Sequence, residues 1–203
     1  GGLGYIGTEL CKIYSGVSWH HEIIVIDNRF ISERVNQIRN WNMEFIHGDI
    51  LDKDLVNRYF KDADIIHHLA GITDVPRTKS ESNRELDEKI KLVGEKGTQN
   101  ILDAISNECK IIFPSTHVVY EGIDKVKNDI KEDEETKPVL SYSSSKAINE
   151  KQLKESGKNY VILRLGSVYG YSTDTTRIDI MPNLFSKIAS QNGILKLFSG
   201  GRQ

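Results

Sequence analysis

The sequence predicts an α/β protein built on a doubly wound parallel sheet. Short runs rich in Ile and Val alternate with longer, charged stretches of helical period, the spacing of strand–helix–strand units. Those runs are continuously apolar rather than alternating, as parallel strands covered on both faces require. A glycine-rich turn opens the first helical stretch, where such folds approach a ligand.

In chain order, Gly4–Ser15 reads as a helix and Glu22–Asp27 (EIIVID) as a strand. Met43–His47 (MEFIH) is the next strand, Asp52–Lys61 a helix and Asp64–Leu69 (DIIHHL) a strand. A long helix over about Arg84–Asn107 carries Leu86, Ile90, Val93, Ile101 and Ile105 along one side, a face suited to burial against a sheet. Lys110–Pro114 (KIIFP) and Tyr160–Leu165 (YVILRL) read as strands, with a helix over about Ser144–Ser156 between them. The charged run Lys131–Glu135 (KEDEE) reads as a solvated loop. After Gly170 the pattern loosens: Met181–Ala189 looks helical and Ile194–Phe198 strand-like. Residues 1–170 are therefore expected to form one domain, and 171–203 the beginning of a second, smaller subdomain.

Composition narrows the function. Lys and Arg number 27 against 29 Asp and Glu, a net charge of −2, so no basic field favours nucleic acid. The aromatics are scattered and suggest no platform for stacking bases. Cys11 and Cys109 lie far apart and outside any CxxC, which argues against a disulfide scaffold or a thiolate metal site. His67 and His68 read as core histidines, and His20 and His21 lack acidic or thiol partners in sequence, so no metal is expected. No stretch approaches the length of a membrane span, and a cytoplasmic chain is the expectation. The sequence opens on Gly1-Gly2 without Met and closes on Gly201-Arg202-Gln203 in a turn. The expectation is a piece of a longer chain.

Two motifs carry chemistry. Gly1, Gly4 and Gly7 form GxxGxxG and Gly2, Gly4 and Gly7 form GxGxxG; glycine lets the backbone turn sharply and approach a pyrophosphate. The helix beginning there offers free N–H groups and its positive dipole end to the anion. Asp27 closes the following strand 20 residues after Gly7, where a carboxylate accepts hydrogen bonds from an adenosine ribose. Asp27 would repel a 2′-phosphate, which favours NAD over NADP, although the nearby Arg29 argues the other way.

The second motif is Tyr142-Ser143-Ser144-Ser145-Lys146, a YxxxK pair whose i, i+4 spacing puts both side chains on one helix face. A tyrosine with a pKa of about 10 is a poor base at neutral pH, and an adjacent ammonium would stabilise its phenolate. Tyr142 could then take a proton from a sugar hydroxyl while hydride leaves to a nicotinamide. The strand Lys110–Pro114 runs into Ser115-Thr116, 26 residues before Tyr142 for Thr116, where a hydroxyl could bond the reacting oxygen.

The whole chain resembles the extended short-chain dehydrogenase/reductase family, in its NAD-dependent epimerase/dehydratase branch acting on nucleotide sugars. The likeness runs through the glycine motif, Val25-Ile26-Asp27-Asn28, Gly48-Asp49-Ile50, His68-Leu69-Ala70-Gly71 and Gly97-Thr98-Gln99-Asn100. It continues through Ser115–Tyr120, Tyr142–Lys146 and Leu163–Gly170. The resemblance implies a Rossmann-like sheet whose first strand precedes Gly1. It implies that Gly1, Gly4, Tyr5, Ile6 and Gly7 hold the pyrophosphate of NAD and that Asp27 and Asn28 meet the ribose. Asp49 and Ile50 would flank the adenine, with Leu69, Ala70 and Gly71 along the cleft. Thr116, Tyr142 and Lys146 would be the catalytic group, Lys146 also holding the nicotinamide ribose.

Two departures stand out. Gly94 replaces an Asn common in the family, and Ser167 replaces another at a position that often meets substrate. Related dehydratases carry acidic residues after the catalytic Ser/Thr, whereas here His117 and Val118 follow Thr116. Valine does no acid–base chemistry, which disfavours dehydration and leaves reversible hydride transfer. The resemblance thus implies 4-epimerisation of a nucleotide sugar through a transient 4-keto sugar, with reductase, dehydratase or decarboxylase activity as the alternative. A non-catalytic NAD sensor would be expected to lose Tyr142 or Lys146. His117 and Ser167 are candidate substrate contacts. The family habit of pairing two long helices, here about Arg84–Asn107 and Ser144–Ser156, implies a homodimer.

Overall fold

The computed structural model describes residues 1–73, 83–124, 127–173, 177–178 and 180–197. In chain order these form α1 (Tyr5–Tyr14), β1 (Ile24–Asp27), α2 (Ser32–Asn40), β2 (Glu44–His47), α3 (Lys53–Phe60) and β3 (Ile65–His67). Then follow α4 (Arg84–Lys91), α5 (Gly97–Ala104), β4 (Lys110–Thr116), α6 (Ser141–Glu155), β5 (Asn159–Leu165) and α7 (Met181–Ser190). Every strand pair is parallel, so the chain has the α/β architecture its pattern predicts.

Among the described residues the strands make two sheets rather than one. β1 pairs with β2, and β3, β4 and β5 pair in that order. The amino-terminal glycines sit in the seam between them. The nitrogens of Gly1 and Gly2 both donate to Ile26 O, at 2.7 and 3.2 Å. A Cβ added to Gly1 would lie 2.3 Å from the Leu69 carbonyl carbon. Each sheet has its own core: Leu3, Val25, Val35, Ile38 and Phe45 around the first, and Val56, Ile66, Ile101, Ile111, Phe113 and Leu153 around the second.

Several boundaries differ from those expected. The long helix over about Arg84–Asn107 is broken: α4 and α5 are joined by a π-helical turn, Leu92–Lys96, and α5 ends at Ala104, after which Ile105 is extended. Gly94 lies in this turn, where a Cβ would come 2.3 Å from Ser145 Oγ of α6, so glycine leaves room for the α6 side chains at this crossing. Helix α2 has only Val35 and Ile38 buried in a charged stretch, too faint a stripe to read from periodicity. Residues 194–197 are irregular, not a strand, and Phe198 lies outside the described residues with the rest of the carboxyl end. β4 is alternately buried along its length, but β5 stays half-exposed, so only the inner strand is covered on both faces.

Three features prepare the site. Asp52 caps α3, its Oδ1 accepting from the N–H groups of Asp54 and Leu55 at 3.0 and 3.1 Å. β4 continues beyond Pro114 to Thr116 and then enters a 3-10 turn, His117–Tyr120. α6 starts at Ser141, three residues earlier than expected, which places Tyr142 in its first turn. No helix among the described residues is long and apolar enough to cross a membrane.

Candidate active site

The carboxyl ends of β1, β3 and β4 open on a cleft of about 900 Å³. That is where ligands meet an open parallel sheet. Gly1, Gly4, Tyr5, Ile6 and Gly7 line one end. A Cβ on Gly7 would lie 2.5 Å from Gly1 O, so the cradle closes only with glycine there. No side chain caps α1, whose first turn therefore presents its N–H groups toward the cleft.

Asp27 is buried behind this cradle. Its Oδ2 accepts from Leu3 N at 3.0 Å and its Oδ1 from Arg29 N at 2.9 Å. The carboxylate thus fixes the turn as well as lining the cleft, a second role that spacing did not reveal. Asn28 Nδ2 donates to Asp49 Oδ2 at 2.9 Å, while Asp49 Oδ1 accepts from Leu51 N. Ile50 is held by its carbonyl, which accepts from Asn100 Nδ2 at 2.9 Å. Leu69, Ala70 and Gly71 line the middle of the same cleft.

At the far end β4 and α6 bring together the three residues expected to be catalytic. Thr116 is buried, and its side chain lies beside the Tyr142 phenol and lowers its pKa. Lys146 Nζ donates to Pro114 O at 2.8 Å and lies 4.3 Å from the Phe113 ring centroid. Burial pushes Lys146 down to about 8, against the pull of the Glu150 charge. Burial raises the Tyr142 phenol above its ordinary value, opposed by the charge of Arg177 and the nearby Thr116 side chain. Without ligand, Tyr142 is therefore a neutral phenol at pH 7. Lys146 Nζ is 6.0 Å from its ring, and Arg177 is the cation acting on it.

His117 Nδ1–H donates to Leu165 O at 3.1 Å, and both His117 and the exposed Ser167 line the cleft near Thr116. Gly94 faces α6 and does not line the cleft.

Sequence reasoning missed three residues. His68, read as a satisfied core histidine, is buried but half-satisfied. Its Nε2 meets Thr98 Oγ1 at 2.9 Å, while Nδ1 has no partner and the ring borders the cleft. Burial, with Lys146 nearby, pushes it down to about 3, so it stays neutral. Arg177 crosses the cleft to donate to Thr73 O at 3.2 Å and has no sequence signature. Glu150 lies eight residues after Tyr142 on the same face of α6, a spacing that could have revealed it.

A family model of the NAD dependent epimerase/dehydratase family matches residues 1–203. The chain belongs to that family. CDP-paratose 2-epimerase of Salmonella typhi is 34% identical over 139 residues, covering 63% of this chain and 38% of the relative. UDP-N-acetyl-alpha-D-glucosaminuronate decarboxylase of Bacillus cytotoxicus is 28% identical over 215 residues, covering 100% of this chain and 64% of the relative. The structure of UDP-glucuronic acid 4-epimerase from Bacillus cereus, in complex with UDP-glucuronic acid and NAD, superposes with a TM-score of 0.76. It is 25% identical and covers 98% of this chain and 64% of that one. The chain thus spans about two fifths to two thirds of the length of these relatives.

The site fits the family's dinucleotide. The glycine cradle admits no Cβ, α1 is uncapped at its positive end, and the unpartnered His68 Nδ1 borders the cleft.

Proposed function

We propose that the chain carries the cofactor site and catalytic group of a nucleotide-sugar 4-epimerase that uses NAD rather than NADP. The observation that carries this reading is the distribution of acids and bases. Thr116, Tyr142 and Lys146 converge at one end of the cleft, and the only carboxylates lining it among the described residues are Asp27 and Asp49, at the other. Elimination of water from a sugar needs an acid and a base besides the hydride-transfer group. Hydride removal and return need only the group present.

When bound, NAD supplies the hydride acceptor and one positive charge in the cleft. Gly1, Gly4 and Gly7 admit its pyrophosphate to the end of α1, and Asp27 accepts from the adenosine ribose. Tyr142, as phenolate, takes the proton of the sugar C4 hydroxyl, and Thr116 bonds the same oxygen. The charge of Arg177 favours that phenolate, and Lys146 would hold the nicotinamide ribose. Once the 4-keto sugar has turned, Tyr142 would return that proton to the C4 oxygen, the sugar then being reduced on its opposite face. His117 and Ser167 contact the substrate. The protein works as a homodimer through α4, α5 and α6, where Ile148 remains exposed.

The test is an assay of the protein with NAD and a panel of UDP-, GDP-, dTDP- and CDP-sugars, following 4-epimer formation and reduced-nicotinamide absorbance. At least one 4-epimer pair should interconvert without net reduction. Tyr142→Phe should lower turnover by about 100-fold or more while NAD still binds. Near-normal turnover in that variant, or a net 4-keto, dehydrated or decarboxylated product, would overturn the reading.

A further inference from the structure

The buried acid of α6 is unused by the mechanism above, yet it touches nearly every element that builds the catalytic group. Tyr142, Lys146 and Glu150 stand at i, i+4 and i+8 on the helix. Between them they face the last three residues of β4: the Thr116 side chain beside Tyr142, Pro114 O for Lys146, and Ser115 Oγ for Glu150. Ser115 Oγ donates to Glu150 Oε1 at 2.5 Å, and both residues are buried. From β5, Arg164 grips the same carboxylate with both edges of its fork, Nε to Oε1 at 2.9 Å and Nη2 to Oε2 at 2.6 Å.

Arg164 carries the connection onward. Its Nη1 donates to Tyr120 OH and, at 2.9 Å, to Glu132 O. Tyr120 ends the 3-10 turn that begins immediately after Thr116. One carboxylate therefore holds the residue before Thr116 directly and the far end of the following turn through Arg164. Lys154 of α6 also faces it, at 3.8 Å and half-exposed, but reaches no part of β4. Removing one partner from a buried ion pair is costly, while the intact pair adds little net stability, so its value lies in fixing one arrangement.

We propose that Glu150 is a positioning residue, fixing the end of β4 against α6 so that the Thr116 hydroxyl meets the Tyr142 phenol. The inference rests on the reading of Thr116, Tyr142 and Lys146 as the reacting group, and its first test needs no substrate. In the intact protein, the phenol of Tyr142 is titrated by its absorbance, wild type minus Tyr142→Phe. Ser115→Ala removes the rung to β4 without changing charge. Loosening Thr116 should raise the Tyr142 midpoint by about half a pH unit or more, with NAD affinity within about twofold.

Glu150→Gln should lower kcat about tenfold or more, with KM and NAD affinity within about twofold, and Lys154→Ala should change neither. If Glu150→Gln fails to fold, Ser115→Ala decides. An unmoved Tyr142 midpoint in folded Ser115→Ala overturns the proposal. A shifted midpoint in a protein that turns over no sugar nucleotide sustains the positioning role and defeats the proposed activity instead.

Discussion

Lys146 shows how the site taxes the fold. Burial holds its pKa near 8, below the ordinary lysine value, so folding disfavours the very charge the chemistry uses. The penalty is full below about pH 8, where folded and unfolded chains both carry the ammonium. It fades between pH 8 and the unfolded lysine value of about 10.4, where the folded chain has already released its proton. Lys146→Met should therefore raise the melting temperature at pH 7 by about 2–4 °C while abolishing turnover. Melting curves by circular dichroism at pH 7 and pH 10 check this, and the gap between variant and wild type should narrow at the higher pH. The spacing of YxxxK and the position of Thr116 were legible because a helix repeat and a strand end are local facts. Which cation acts on the phenol was not. Arg177 lies 35 residues beyond Tyr142, and only the tertiary fold brings its charge there.

Helix α6 holds Tyr142 and Lys146 and has an unusual amino-terminal cap. Leu140 offers no polar side chain, and the acceptor comes from Glu121, beyond the 3-10 turn. Its Oε1 takes the N–H groups of Val139 and Leu140, both at 2.7 Å, and the hydroxyl of Ser143. A carboxylate at this end also meets the positive pole of the helix. Glu121→Ala should cost about 1–3 kcal/mol in urea unfolding, with Glu121→Gln losing less because the amide oxygen still accepts. The strands and most helices were readable because Ile- and Val-rich runs and amphipathic stripes mark them. α2 was not, since two buried residues among charges leave no stripe. The broken helix around Gly94 was equally hidden, because the contact at Gly94 comes from a helix some 50 residues further on.

At the scale of the whole molecule, two cores meet along a seam occupied by the glycine cradle. Asp27 ends a strand of one sheet, Thr116 ends a strand of the other, and Leu69 follows β3, yet all three border one cleft. A ligand lying along it would touch both halves and only in their folded arrangement. NAD at about 100 times its dissociation constant should add about 2.7 kcal/mol to stability, read as a rise in melting temperature; NADP at equal concentration should add less. Equal shifts from the two would remove the preference assigned to Asp27.

Tyr5 of the cradle is held by distant sequence. Tyr5 OH donates to Gly170 O at 2.5 Å, Asn183 Nδ2 donates to Tyr5 OH at 3.2 Å, and Ser172 Oγ donates to Tyr5 O at 3.1 Å. Those pairs are separated by 165, 178 and 167 residues. A ribosome thus makes the cradle more than 160 residues before the groups that hold Tyr5. Contacts of such long sequence separation raise the entropy cost of closing the chain. During synthesis this side of the cradle is accordingly completed only after β5 has been supplied, together with the core that β5 joins.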